Sequence, residues 1–164
     1  MLLGFGKTRT FEIFKTLATE FPKVQIITIS GKNAKMKEQF DKFVEQNIKK
    51  DLITVIEFSN QVPELMAISD LVITKPGGLT SSESLASGLP IIIINPIPGQ
   101  EEQNAEFLEN SGAAVWLKKE DNISEVLHNV LDNKDKLEKM KNASKTLAKP
   151  DSTTNICKTL FKFM

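Results

Sequence analysis

Two stretches of this sequence place chemistry-bearing residues directly after short apolar runs. The first follows Leu71–Thr74 and reads Thr74-Lys-Pro-Gly-Gly-Leu-Thr-Ser-Ser-Glu83. Pro76 ends a strand, Gly77 and Gly78 make a tight turn, and Leu79 and Thr80 lead into a Ser/Thr-rich helix. Glycines without a Cβ let a ligand come close to the backbone. The unpartnered N–H groups of a new helix favour an anion such as a diphosphate. Glu83 then lies one turn in, where a carboxylate can accept two hydrogen bonds from ribose hydroxyls. The same Thr80-Ser-Ser-Glu83 spacing fits a capping box, in which Thr80 caps the helix and Glu83 reaches back to its N–H. Spacing alone leaves both readings open.

The second stretch, Asn95-Pro-Ile-Pro-Gly-Gln-Glu-Glu-Gln-Asn104, follows Ile91–Ile94. Gln100, Glu101 and Asn104 stand at a helix start, and amide and carboxylate groups there suit the hydroxyls of a sugar. The competing reading has Glu101 and Glu102 complementing the helix dipole and Gln100 solvated. Two weaker positions follow. Gly4-Phe5-Gly6-Lys7-Thr8 is a lone Gly-x-Gly, with Arg9 where the last glycine of a dinucleotide fingerprint would fall, so phosphate contact and a plain strand-to-helix turn stand level. In Glu57-Phe58-Ser59-Asn60, Phe58 could lie against a nucleobase or belong to the core. Three remaining residues read as structural: His128 solvated or capping, Trp116 packed under the C-terminal helices, and Cys157 a small buried hydrophobe on the last helix. No Cys/His cluster is present, and no Asp-x-Asp follows a strand to hold a metal on a diphosphate.

The elements that must position these residues alternate along the chain. Val24–Ile29, Ile53–Ile56, Leu71–Thr74, Ile91–Ile94 and Ala113–Leu117 have the length and β-branched content of strands. Helical spacing runs over Thr10–Phe21, Ala34–Lys49, Pro63–Ser69, Thr80–Ser87 and Glu102–Ser111. Strands without polar alternation are covered on both faces, and parallel neighbours need crossover helices. The expected fold is therefore α/β: a doubly wound, mainly parallel, six-stranded Rossmann-like sheet with extra C-terminal helices from Asn122 onward, forming one domain over residues 1–164. In such sheets ligands bind beyond the carboxyl ends of the strands. Met1–Leu3 read as the end of a first strand, from which the chain is expected to be part of something longer.

Composition narrows the function. With 21 basic and 21 acidic residues, the chain lacks the net positive charge that phosphate backbones attract. The single cysteine allows no internal disulfide and points to a reducing compartment. No apolar run is long enough to cross a bilayer, and the first residues lack the pattern of a signal peptide.

The run from Leu71 to Asn104, with its Lys-Pro-Gly-Gly-Leu-Thr-x-x-Glu, Gly-Leu-Pro and Pro-x-Pro-Gly-Gln-Glu-x-x-Asn-Ala elements, resembles the glycolipid glycosyltransferases. These are monogalactosyldiacylglycerol synthases and processive diacylglycerol glucosyltransferases, related more distantly to the lipid-linked N-acetylglucosaminyl transferase of peptidoglycan assembly. The resemblance implies a GT-B enzyme of two Rossmann-like domains, of which this chain is similar to the C-terminal, donor-binding one. It implies that Phe58 and Ser59, with Asn60, lie against uracil, and that Glu83 binds the ribose. It further implies that Gly77, Gly78, Leu79 and Thr80 meet the diphosphate, while Gln100 and Glu101 face the hexose. Asn104 completes the second loop, and Gly4 and Gly6 stand where the family carries a richer glycine run.

The implied reaction moves a hexose from a UDP-sugar to a diacylglycerol-type lipid without a metal or other cofactor. Catalytic groups and the lipid-binding surface are expected on the missing N-terminal domain. That predicts a cytoplasmic protein at the membrane face, inactive as residues 1–164 alone, with no nucleic-acid partner. Three alternatives are a stand-alone donor-binding subunit of a split glycosyltransferase, part of a UDP-sugar 2-epimerase, and a Rossmann-like module that binds no nucleotide. The epimerase would want carboxylates and histidines in the cleft, where His128 is poorly placed.

Overall fold

A computed structural model describes residues 2–3, 9–46 and 50–163. Its strands are β1 (Leu2–Leu3), β2 (Ile26–Ile29), β3 (Ile53–Ile56), β4 (Val72–Thr74), β5 (Ile91–Ile93) and β6 (Ala114–Trp116). The helices are α1 (Arg9–Glu20), α2 (Ala34–Glu45), α3 (Val62–Ala67), α4 (Gly78–Ala86), α5 (Gln100–Asn110), α6 (Ile123–Leu131), α7 (Lys134–Leu147) and α8 (Ser152–Leu160). A 3₁₀ turn at Lys50–Leu52 precedes β3. The six strands form one sheet in the order β3-β2-β1-β4-β5-β6, and every pairing is parallel. The order reverses between β1 and β4, so the crevice of a doubly wound sheet opens above those strands.

The all-isoleucine strand explains why helices must cover both faces. Side chains alternate across a strand. Ile92 and Ile94 therefore join one core with Phe14, Phe40, Leu127 and Val130, while Ile91 and Ile93 join the other with Met66, Leu89, Ala105 and Leu108. Ile91, Ile92 and Ile93 are 0% exposed, and burying each contributes roughly 1.5–3 kcal/mol. The rings of Phe14 and Phe40 lie 4.5 Å apart and bind α1 to α2. The Ser144 hydroxyl of α7 donates to the Leu89 carbonyl at 2.8 Å, deep in the interior.

Helix boundaries follow local chemistry. Asn33, Asn122 and Asn133 cap α2, α6 and α7, each side-chain oxygen accepting an N–H three residues on. Pro63 opens α3, where a missing N–H does no harm. Gly88 ends the α4 segment with φ +66°, and a side chain there would also press on Lys145, 3.2 Å away.

Two expectations are corrected. Trp116 packs with Ile93, Leu108 and Ala114 on the α5 side of the sheet, because its position on β6 turns it away from the layer holding Leu127 and Met140. Cys157 is exposed, because α8 buries none of its residues against the described chain.

Candidate functional site

The strand ends deliver two loops to the same place. β4 runs into Lys75-Pro76-Gly77, β5 into 94–99, and adjacent parallel pairing (Val72↔Ile91, Thr74↔Ile93) keeps their exits side by side. A hydrogen bond joins them: the Asn104 side-chain amide donates to the Pro76 carbonyl at 2.9 Å. Across the same gap, a methyl group on Gly77 would touch Glu101 Oε1 at 3.9 Å. The stretches around residues 77–83 and 99–104 thus form one wall.

α4 starts at Gly78 with Gly77 as its N-cap, and no side chain caps it. The Gly77 carbonyl accepts the Ser81 N–H at 2.9 Å, so the N–H groups ahead of it, on Gly78, Leu79 and Thr80, point out of the helix end. A side chain on Gly78 would meet nothing within 4 Å, and Leu79 is 83% exposed. Among the described residues nothing fills the space in front of Gly78, and the partial positive charge of the helix end faces it. The capping-box reading of Thr80 and Glu83 is overturned. The helix begins three residues earlier than that reading requires, so Thr80 is already inside the first turn and its carbonyl accepts the Ser84 hydroxyl. Glu83 is exposed and has no hydrogen-bond or ion-pair partner among the described residues.

The second loop is rigid for a different reason. Gly99, at φ +97° and ψ −116°, and Asn95, at φ +45°, take backbone conformations that turn the chain sharply between β5 and the start of α5. Glu101 accepts the Ile97 N–H at 2.7 Å, and Glu102 accepts the Gly99 N–H at 3.2 Å. Both acids therefore brace the loop, as their helix-start position allows, while Gln100 is exposed at the rim. Asn104 is half-buried and acts first as the tie between the loops.

Beyond β3, Phe58 is 77% exposed, so the core reading of that ring is corrected: the chain has turned outward before reaching it. Ser59 accepts the Gln61 N–H at 3.0 Å and shapes the bend that presents Phe58. Gly4 and Gly6 lie outside the described residues. Two hydroxyls escaped the sequence reading. Ser30, just past the carboxyl end of β2, and Ser81, on α4, are buried with no partner among the described residues. A small hydroxyl residue, after a strand for Ser30 and near a helix start for Ser81, was the only available signal for them.

His128 stands apart from this wall. It bonds Asp132 at 2.6 Å and Glu20 at 3.2 Å, and its ring lies 4.4 Å from that of Phe21. Glu20 ends α1, which runs down from the top of β1, so this cluster sits at the opposite pole of the sheet. Asp132 and then Glu20 raise the imidazole pKa above its ordinary 6.5. Among the described residues no group of three or more His, Cys, Asp or Glu is placed to hold a metal. None of the described helices is long and apolar enough to cross a membrane.

Residues 10–156 match the family model of the glycosyltransferase family 28 C-terminal domain. The processive diacylglycerol beta-glucosyltransferase of Bacillus pumilus (strain SAFR-032) is 37% identical over 134 residues, which are 82% of this chain and 34% of that protein. The chain thus spans about a third of the length of this relative. Among solved structures, MurG of Acinetobacter baumannii superposes with a TM-score of 0.70 at 20% identity, covering 98% of this chain and 49% of its own. A putative UDP-N-acetylglucosamine 2-epimerase from Listeria monocytogenes gives 0.72 at 18% identity, covering 99% and 45%. Those two likenesses establish the fold; the sequence match decides the family, and the chain belongs to the glycosyltransferase family 28 C-terminal domain family.

Proposed function

We propose that this chain is the donor-binding half of a glycosyltransferase that moves a hexose from a UDP-sugar to a diacylglycerol-type lipid. The observation that carries the reading is the wall of two tied loops, bearing the N-terminus of α4, which no side chain caps among the described residues, and Glu83, which has no partner among them. The N–H groups of residues 78–80 receive the diphosphate and hold the charge that develops on UDP as it leaves, doing what a cation does elsewhere. Glu83 accepts the ribose hydroxyls, Phe58 lies against uracil with Ser59 shaping its approach, and Gln100 and Glu101 face the hexose. No metal or other cofactor takes part in donor binding. Acceptor, catalytic base and any contact with the membrane face belong to the remainder of the longer protein.

The likeness to a diacylglycerol glucosyltransferase at 37% identity favours transfer over epimerisation, which rests on an 18% structural likeness alone. The position of His128, at the far pole, favours the same choice. Calorimetry tests the reading. Residues 1–164 bind UDP equally with and without a chelator, and Glu83→Ala weakens binding roughly 10–100-fold, as loss of hydrogen bonds to a charged group implies. The same chain transfers no sugar. Absence of UDP binding would leave only the fold, and measurable turnover would refute the division of labour.

A further inference from the structure

Above the carboxyl ends of β4 and β5 the two loops separate, and a side chain holds them in register. The last backbone bond between the strands runs from the Ile94 N–H to the Thr74 carbonyl at 3.0 Å. Past it, among the described residues, no backbone hydrogen bond links residues 75–83 to residues 95–104. Ala105 and Leu108 seat the body of α5 in the core. Burial is not directional, however, and does not by itself stop a helix from sliding or rolling by a fraction of an ångström. A hydrogen bond is directional. Among the described residues, the side-chain bond that crosses between the loops is the one Asn104 donates to the Pro76 carbonyl at 2.9 Å.

Glu101 and Asn104 stand three residues apart on α5 and so share a face of it. They meet consecutive residues of the other loop. Asn104 reaches Pro76, and Glu101 Oε1 lies 3.9 Å from where a methyl group on Gly77 would stand. The other carboxylate oxygen of Glu101 accepts the Ile97 N–H at 2.7 Å. That bond belongs to the α5 loop itself and moves with it, so it orients the carboxylate without setting its distance from α4. Asn104 sets that distance. A recognition group works only when held within roughly 0.5 Å of its productive position. For a ligand that spans both loops, the spacing between them is part of recognition.

We propose that Asn104 is a positioning residue: by donating to the Pro76 carbonyl it holds Glu101 at the spacing from the α4 turn that a hexose joined to a diphosphate requires, and it acts on the hexose through Glu101 rather than by touching it. This rests on the donor-site reading above. It changes the part played by the amide, from binding sugar hydroxyls to keeping two binding loops in register. Hexose recognition, not nucleotide recognition, is then the property that Asn104 controls.

Calorimetry of residues 1–164 with UDP, UDP-glucose and UDP-galactose tests this. The quantity read is the dissociation constant of the tighter UDP-hexose divided by that of UDP. Asn104→Ala raises this ratio roughly 10–100-fold, the loss expected of one hydrogen bond to a charged group. Asn104→Asp keeps the shape and an accepting oxygen but has no N–H for Pro76, and it raises the ratio as much. It also carries the test should the shorter side chain fail to fold. Glu101→Ala raises the ratio to the same level, and adding either Asn104 change to it raises it no further, as for residues that act through one another. A bond with a structural role alone would lower the urea midpoint and leave the ratio where it was. An unmoved ratio in the Asn104 variants, a natural ratio kept by Asn104→Asp, losses that multiply in the double variant, or a natural chain that binds UDP but neither UDP-hexose would overturn the proposal and leave the nucleotide site standing. A natural chain that binds no UDP would overturn both.

Discussion

Gly78 is the residue at which structure and ligand make separable demands. A methyl group there meets nothing within 4 Å among the described residues, so Gly78→Ala leaves stability within about 0.5 kcal/mol by urea denaturation. The same methyl stands in the space before the helix end, and UDP affinity falls by an order of magnitude or more if the diphosphate sits there. Unchanged affinity in a stably folded Gly78→Ala protein would remove the diphosphate from this turn. His128 is the opposite case, a polar residue whose role is structural. Asp132 and Glu20 favour its protonated form and raise its pKa above 6.5, while Phe21 packs against the ring at a tilt of 35° and Ser124 donates to the same Glu20 carboxylate. A raised folded-state value means this stabilisation is complete below about pH 6.5 and is lost as pH rises through the folded-state pKa. The thermal midpoint of the natural chain therefore exceeds that of His128→Gln most at pH 6, and the gap narrows toward pH 9. A gap constant across that range would mean that protonation contributes nothing.

Strands and helices were legible in the sequence wherever a run was apolar on both faces or striped on one. Ile91–Ile93 could be read as a doubly covered strand because no polar residue interrupts it, and the structure places its alternate side chains in two separate cores. Ile92→Ala is expected to destabilise the chain by roughly 2–5 kcal/mol, since a fully buried side chain leaves a cavity that helices on a rigid sheet cannot close. Ser144→Ala costs about 1–3 kcal/mol by leaving the Leu89 carbonyl buried without its donor; urea denaturation of the two variants gives both values. Less was legible where a residue's role depends on a partner distant in sequence. Nothing near Asn104 hints that its amide reaches the carbonyl of Pro76, and a sugar contact was the natural guess. Cys157 and Trp116 were misplaced for a related reason: periodicity identifies the apolar face of an element but not which layer it meets, nor whether it meets one at all. The start of α4 was legible only to within three residues, and that slip alone sustained the capping-box reading of Glu83.

At the scale of the molecule, the wall of tied loops and the His128 cluster lie at opposite poles of one parallel sheet, and this separation has a measurable consequence. A ligand that binds only the folded state stabilises it by mass action, about 2.7 kcal/mol at a hundred times its dissociation constant. For a chain of this size each kcal/mol raises the midpoint by roughly 2–4 °C. UDP at that concentration should therefore raise the thermal midpoint of residues 1–164 by roughly 5–11 °C. Adding UDP to Glu83→Ala at the same absolute concentration yields far less, because the ratio of ligand to dissociation constant has dropped tenfold or more, although the unliganded midpoints coincide. His128→Gln behaves in the reverse manner, with a lower starting midpoint at pH 6 and the full shift on UDP. If His128→Gln instead lost the shift while Glu83→Ala kept it, nucleotide would be binding at the other end of the sheet. The strand-end loops would then be no more than well-tied connections.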